Sequence, residues 1–207
     1  MTTRAHRGAL RQPERVPDRG RVPSLRIDAA GIAAGARQVP SPNADARPRG
    51  TKITLLVVHN ISLPPGVFGG DDVERLFTNT LDCSSHPAYE PLRTLRVSAH
   101  FFVRRTGEVV QFVSCRRRAW HAGESAWDGR SRCNDFSIGI ELEGSDTVPY
   151  ADVQYDRLAD LVIALRRRYP IADLVGHSDV APARKTDPGP AFDWPRLRAL
   201  VSAMRRG

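Results

Sequence analysis

Hydrophobic positions along the chain fall into separate runs, each with its own period. Ile53–His59 is continuous, apolar and β-branched, the pattern of a strand buried on both faces. Val97–Arg104 and Glu108–Val113 are two further strand-like runs parted by Arg105-Thr106-Gly107, which predicts a hairpin. Phe136–Glu143 alternates apolar residues with small or polar ones, predicting a strand with one face in the core and the other open to a site. In Asp152–Arg168 the period changes. Leu158, Leu161, Val162 and Leu165 fall on one helical stripe, and Pro170 ends the helix. Leu174-Val175-Gly176 predicts a short strand, and Trp194–Met204 a last helix with Asp193 as its N-cap and Pro195 tolerated in the first turn.

The segments between these runs are weaker signals. Asp28–Arg37 is alanine-rich and predicts a short helix despite Gly31 and Gly35. Pro40–Gly50 reads as an irregular linker. Asp71–Asn79 predicts a short helix capped by Asp71, and Leu81–Leu95, with prolines at 87 and 91, reads as irregular. No internal repeat is visible. Strands with helices between and after them predict a mixed α/β domain, a central mixed sheet flanked by helices.

Length and composition fit one such domain. The chain has 207 residues, 41% hydrophobic and 26% charged. Its net charge of +8 first suggests a nucleic-acid or membrane partner, but the distribution argues otherwise. Arg4, Arg7, Arg11, Arg15, Arg19, Arg21 and Arg26, against Glu14 and Asp18, supply +5 of it. Residues 1–24 are therefore read as a disordered, solvated basic extension and residues 25–207 as the folded domain, with neither nucleic acid nor membrane as partner. Arg116-Arg117-Arg118 and Arg166-Arg167-Arg168 read as exposed faces. No stretch approaches the roughly 20 apolar residues that span a bilayer, and no apolar segment follows the basic N-terminus, so a cytoplasmic protein is expected. Cys83, Cys115 and Cys133 are odd in number and widely spaced, which predicts reduced thiols.

The densest chemistry lies near the C-terminal end. Gly176-His177-Ser178-Asp179 and Ala183-Arg184-Lys185-Thr186-Asp187-Pro188-Gly189-Pro190 bring a histidine, a lysine and aspartates together on a segment too rich in proline and glycine for one regular helix. A histidine and a carboxylate can hold a metal, and a lysine can hold developing negative charge. His59, at the end of an apolar run, is a candidate second histidine, since strand ends project into loops where sites are built. Two histidines and a carboxylate form an established zinc ligand set. Spacing alone leaves His86, His100 and His121 in competition with His59, and Asp179 with Asp187. A histidine after a strand is more often structural than a ligand. Glu141 and Glu143 share a face of their predicted strand, and either can serve as general base.

Six blocks carry a resemblance that narrows these choices. They are Ala36-Arg37-Gln38-Val39-Pro40-Ser41-Pro42; Leu56-Val57-Val58-His59-Asn60-Ile61-Ser62-Leu63-Pro64-Pro65-Gly66; Leu95-Arg96-Val97-Ser98-Ala99-His100; Arg118-Ala119-Trp120-His121-Ala122-Gly123; Arg132-Cys133-Asn134-Asp135-Phe136-Ser137-Ile138-Gly139-Ile140-Glu141-Leu142-Glu143-Gly144; and the His177–Pro190 segment. In this order they resemble the AmpD-type 1,6-anhydro-N-acetylmuramyl-L-alanine amidases of the zinc amidase type 2 family, which share a fold with peptidoglycan-recognition proteins. The resemblance runs from about Ile32 to Val201 and leaves the N-terminal extension without a counterpart.

The resemblance implies one Zn2+ per chain on His59, His177 and Asp187, Glu141 as the catalytic carboxylate and Lys185 at the oxyanion. It further implies that Arg96 and Arg132 hold carboxylates of a diaminopimelate-containing stem peptide and that Asn60 and Trp120 line the groove. His100 and His121 sit inside matching blocks and are assigned no metal role; for His121 the alternatives are contact with substrate and support of the wall. The implied substrate is an anhydromuropeptide, cleaved in cytoplasmic peptidoglycan recycling with no obligate protein partner. The alternative is a periplasmic amidase acting on intact peptidoglycan.

Overall fold

A computed structural model of the chain describes residues 24–204. The basic extension lies outside the described residues apart from its last position. Arg26, counted above with the basic N-terminal arginines, pairs with Ala34 in a short hairpin.

The strands in chain order are β1 (Arg26–Ile27), β2 (Ala33–Ala34), β3 (Arg37–Gln38), β4 (Ala44–Ala46), β5 (Leu55–Ile61), β6 (Phe101–Val103), β7 (Val109–Gln111), β8 (Arg117–Ala119), β9 (Ala126–Trp127), β10 (Arg130–Ser131), β11 (Ser137–Glu143) and β12 (Asp173–Gly176). The helices are α1 (Asp72–Phe77), α2 (Asp152–Arg168), α3 (His177–Val180) and α4 (Trp194–Met204), with a 3-10 turn at Pro87–Leu92. Six strands form the central sheet in the order β12-β5-β11-β6-β7-β3. β12, β5, β11 and β6 run parallel, β7 runs antiparallel to β6, and β3 runs parallel to β7, so the sheet is mixed as expected.

β5 and β11 are central, and all of β11 is buried. Leu56, Val58, Ile138, Ile140 and Leu142 join Leu158, Leu161, Val162 and Leu165 of α2 in the main core, which α4 closes with Leu197 and Val201. The opposite face carries a second cluster built on Phe77, Tyr89, Phe102 and Phe112, and a third of Leu55, Val57, Cys133, Phe136 and Val175. The alternation in Phe136–Glu143 therefore separates two buried faces, as a central parallel strand requires.

The α2 range matches the periodicity, and Asp193 caps α4 by accepting the Arg196 N–H at 2.9 Å. The Arg105–Gly107 turn forms the β6–β7 hairpin, with Gly107 at φ 85°.

Four sequence expectations are corrected. Asp28–Arg37 is not helical. Asp28 accepts the N–H groups of Ile32 and Gly31, Gly31 turns the chain at φ 79°, and the Gly31 carbonyl takes the Cys115 N–H and the Gln111 amide, so the segment folds as a hairpin against the sheet edge. The Pro40–Gly50 linker contains β4, paired antiparallel with β8. Asp71 stands at the α1 cap position without a capping bond, and its carboxylate pairs with Arg104 instead. Arg118 is only one-fifth exposed, because it is held by Asp45 and by Asp135 (2.6 Å).

Candidate metal centre

The parallel strands deliver the site residues to one end of the sheet. In the β11–β5 register Glu141 stands opposite His59. β12 pairs Gly176 with Val58, so His177 leaves its strand one residue later, beside His59. Asp187 returns to the same point because the following turn is pinned. The Pro188 carbonyl accepts from the Asn60 amide at 3.1 Å and from the Tyr150 hydroxyl at 2.8 Å.

His59 Nδ1, His177 Nδ1 and Asp187 Oδ2 form a nearly equilateral triangle with sides of 3.0, 3.1 and 3.1 Å. The side chains are 2%, 4% and 14% exposed. Three mutual hydrogen bonds would need protons crowded into one shared space, and a neutral imidazole carries only one proton on its two nitrogens. Three inward-facing donor atoms instead suit a cation, and these three residues form a group able to hold one. Burial pushes His59 down to about 4, against the pull of Asp187. Burial alone would raise Asp187, but hydrogen bonds from His177 and His59 outweigh it and hold the carboxyl well below its usual range. The electrostatics thus favour a neutral imidazole and an ionised carboxylate, the forms that ligate.

Glu141 lines the same cavity and is 8% exposed, with Oε2 buried and without a partner among the described residues. Burial, then the charge of Asp187, push its carboxyl well above the ordinary range, while Lys185 pulls the other way. A carboxylate with an unfilled oxygen beside a metal triangle is placed for proton transfer. Glu143, on the same face of β11, is committed elsewhere, since its two oxygens accept the Gly69 and Arg105 N–H groups. Lys185 and the apolar side chains of Leu63, Phe77, Leu95 and Trp120 complete the cavity, which is about 270 Å³. A larger cavity of about 520 Å³ lies among the end of α2, residues 169–172 and Met204, and among the described residues no histidine or carboxylate lines it.

The other candidate residues are placed as follows. Asn60 lines the cavity, with its amide nitrogen directed to Asp146 and the Pro188 carbonyl. Trp120 lines it too, half-buried. Arg96 is exposed on the Leu95 side, donating to the carbonyls of Arg93 and Leu95. Arg132 is exposed, with left-handed backbone at φ 62° and a 3.3 Å ion pair to Asp135. Neither arginine lines the cavity in this structure. Asp179 turns away from the centre to accept the Gly176 N–H at 2.7 Å.

The structure gives His121 and His100 specific partners. His121 Nδ1 lies 2.9 Å from His59 Nε2, although only its place in the Trp120–Gly123 block marked it. His100 is a sheet support whose Nδ1 accepts the Gly139 N–H at 3.1 Å.

A buried His–His–carboxylate triangle next to an unpartnered glutamate, at the carboxyl ends of parallel strands, is the construction of a metal-centred hydrolase. Comparison with known proteins gives the family. The chain belongs to the N-acetylmuramoyl-L-alanine amidase family (Amidase_2), whose profile matches residues 49–190. It is 59% identical over 174 residues to the 1,6-anhydro-N-acetylmuramyl-L-alanine amidase AmpD of Escherichia coli K12, covering 83% of this chain and 95% of that protein. The crystal structure of a selenomethionine AmpD derivative superposes with a TM-score of 0.82 at 59% identity, covering 83% of this chain and 97% of that one. The N-acetylmuramoyl-L-alanine amidase AmiD of E. coli K12 is 40% identical over 120 residues, 49% of this chain and 44% of AmiD. Among the described residues no helix is long and apolar enough to cross a membrane.

Proposed function

We propose that this enzyme is a zinc amidase that cleaves the amide between the lactyl group of 1,6-anhydro-N-acetylmuramic acid and L-alanine in anhydromuropeptides. The observation that carries the reading is the donor triangle of His59, His177 and Asp187 beside the unpartnered Glu141 oxygen. Its sides lie within a few tenths of an ångström of the roughly 3.3 Å between ligands of tetrahedral zinc, and one histidine–histidine–carboxylate set per chain suits one Zn2+. The AmpD relative, matched over nearly its whole length, carries the substrate in its name.

Bound zinc supplies polarisation of the scissile carbonyl and a water acidic enough to react near neutral pH. Glu141 would take a proton from the water that attacks the amide carbon and deliver it to the alanine nitrogen as the C–N bond breaks. With a cation held by His59, His177 and Asp187, Glu141 would be favoured in its ionised form, the form able to act as a base. The Lys185 ammonium holds the negative charge that develops on the amide oxygen. Outside the cavity, Arg96 and Arg132 are exposed guanidinium groups, suited to bidentate contact with the stem-peptide carboxylates. Trp120 supplies an apolar wall for the sugar, and the Asn60 carbonyl oxygen remains to accept from the peptide. The products, an anhydro sugar and a free peptide, fit recycling of cell-wall fragments in the cytoplasm.

The test is turnover of anhydro-muramyl-tripeptide with and without a chelator, set beside peptide release from intact sacculi. Chelator-sensitive turnover of the soluble fragment is expected. Preference for sacculi would favour the alternative of an amidase acting on intact peptidoglycan, and chelator-resistant turnover would remove zinc from the reaction.

A further inference from the structure

The proposed chemistry makes no use of His121, which is buried against the metal ligands. Its seat is built into β11. Ser137, Gly139 and Glu141 are alternate residues and therefore share a face of the strand. The His121 ring lies across this row. Its Nε2 is 3.1 Å from Ser137 Oγ, and its Nδ1 is 2.9 Å from His59 Nε2. A Cβ added at Gly139 would stand 2.4 Å from the His121 Cγ, so only glycine leaves room for the ring. The strand that carries Glu141 thus also seats His121, against the ring of the residue that is Glu141's register partner.

Hydrogen-bond chemistry gives this chain a direction. His59 offers Nδ1 to the triangle. A neutral imidazole has one proton, so a ligating Nδ1 puts that proton on Nε2. The Nε2–H is buried and needs an acceptor, which His121 Nδ1 supplies at 2.9 Å. His121 then carries its own proton on Nε2 and donates it to Ser137 Oγ. The reverse polarity would put a proton on His59 Nδ1, inside the triangle, and block ligation. A neutral acceptor also adds no charge to a centre that already holds Asp187.

We propose that His121, fixed by Ser137 and accommodated by Gly139, is a positioning residue that accepts the His59 Nε2–H and keeps the His59 Nδ1 lone pair turned toward the metal. This rests on the zinc reading of the triangle.

Zinc affinity of the full-length protein, measured by chelator competition, tests it in the wild type, His121→Ala, His121→Asn and Ser137→Ala. Loss of an outer hydrogen-bond partner typically weakens metal binding 10–100-fold, so His121→Ala is expected to lose about that much. Zinc in excess should return most of its kcat with little change in KM. His121→Asn keeps an acceptor oxygen near the Nδ1 position and is expected to recover most of the lost affinity. Ser137→Ala should fall between the two. Thermal unfolding of the metal-free proteins reports packing separately. If the wild type takes up no zinc, the reading of the triangle itself falls. If it does, and His121→Ala binds zinc equally well or His121→Asn loses as much as His121→Ala, His121 does not position His59.

Discussion

Glu141 and His59 are register partners on the adjacent parallel strands β11 and β5. Paired residues on parallel strands share a face and lie about 4.8 Å apart, so the sheet itself sets the spacing between the carboxylate and the candidate metal ligand. His177 follows at the end of β12, one residue past the Gly176–Val58 pair. Three neighbouring parallel strands therefore present glutamate, histidine and histidine at their carboxyl ends, where open α/β sheets place their sites. A loop is needed only for Asp187, and the Asn60 and Tyr150 bonds to Pro188 hold that loop.

Because Glu141 stands beside the triangle and is not one of its corners, Glu141→Gln is expected to keep about one zinc per chain. Its kcat should fall by roughly 10²–10⁴, the usual contribution of a general base. His59→Ala, His177→Ala and Asp187→Ala should each lose metal and activity together. Metal content and kcat measured on the same preparations separate the two outcomes, and loss of zinc in Glu141→Gln would make Glu141 a ligand.

The metal-free protein should be sensitive to mild acid. Burial lowers His59 to about 4 and lowers His100 and His121 well below their ordinary value. Unfolded, all three titrate near 6.5. Between about pH 4 and 6.5 the unfolded chain binds more protons, so this stability is present above 6.5 and is lost as pH falls. Glu141 acts in the opposite sense, because its raised pKa keeps a proton in the fold that the unfolded chain partly releases. Three histidines act against one carboxyl, so unfolding in mild acid takes up protons on balance and stability falls as pH falls. Urea unfolding of chelator-treated protein at several pH values measures the slope. No fall in stability would mean that these histidines are charged in the fold.

Segments with one dominant period were legible in the sequence. The stripe of Leu158, Leu161, Val162 and Leu165 marks α2, and the apolar run before His59 marks β5. Where long-range pairing decides, the sequence misleads. The alanines of 28–37 favour a helix only until the Gly31 carbonyl meets Cys115 and Gln111, some 80 positions away. Ala44–Ala46 becomes a strand because β8 is beside it. The candidate metal ligands were legible as residue types but not as a set, since nothing local to His59 distinguishes it from His121. The structure separates them by which ring nitrogen faces Asp187 and which faces a neighbouring ring. Glu141 and Glu143 are likewise equivalent by alternation and differ only in what fills their oxygens.

Away from the centre, Glu74 accepts from both Arg37 (Nη2 to Oε1 at 2.5 Å and Nη1 to Oε2 at 3.0 Å) and Arg104. Burial would raise its carboxyl, but the two arginines outweigh burial and lower it. Arg104 and Glu74 are each 11% exposed and Arg37 is 43% exposed, so the Arg104 side carries more of the energy. Glu74→Gln is expected to cost about 2 kcal/mol at pH 7, less than a fully buried pair because both partners keep some solvent. Arg37→Met should cost less than about 1 kcal/mol. A lowered carboxyl pKa contributes stability above the ordinary glutamate range, and this contribution disappears as pH falls through the folded value. The difference between Glu74→Gln and wild type should therefore shrink in strong acid, as denaturant midpoints at pH 7 and below pH 4 would show. An equal gap at both would mean that the ion pairs contribute nothing.

Glu143 gives the sharpest contrast with Glu141, two residues away on the same strand face. Its carboxylate ties down Gly69, in the loop that leaves β5, and Arg105, in the β6–β7 turn. Hydrogen bonds to a charged group contribute about 1.5–3 kcal/mol each, and removing the acceptor strands two N–H groups. Glu143→Ala is expected to lower stability by about 3 kcal/mol, the two losses being partly recovered by water reaching the loop. The folded fraction should keep its zinc and a kcat within a few-fold of wild type, with any loss appearing in KM through the loosened loop beside Leu63. Chemical denaturation, metal content and steady-state kinetics below the unfolding range read these separately. A kcat loss as large as that of Glu141→Gln, with zinc retained, would reassign the general base to Glu143.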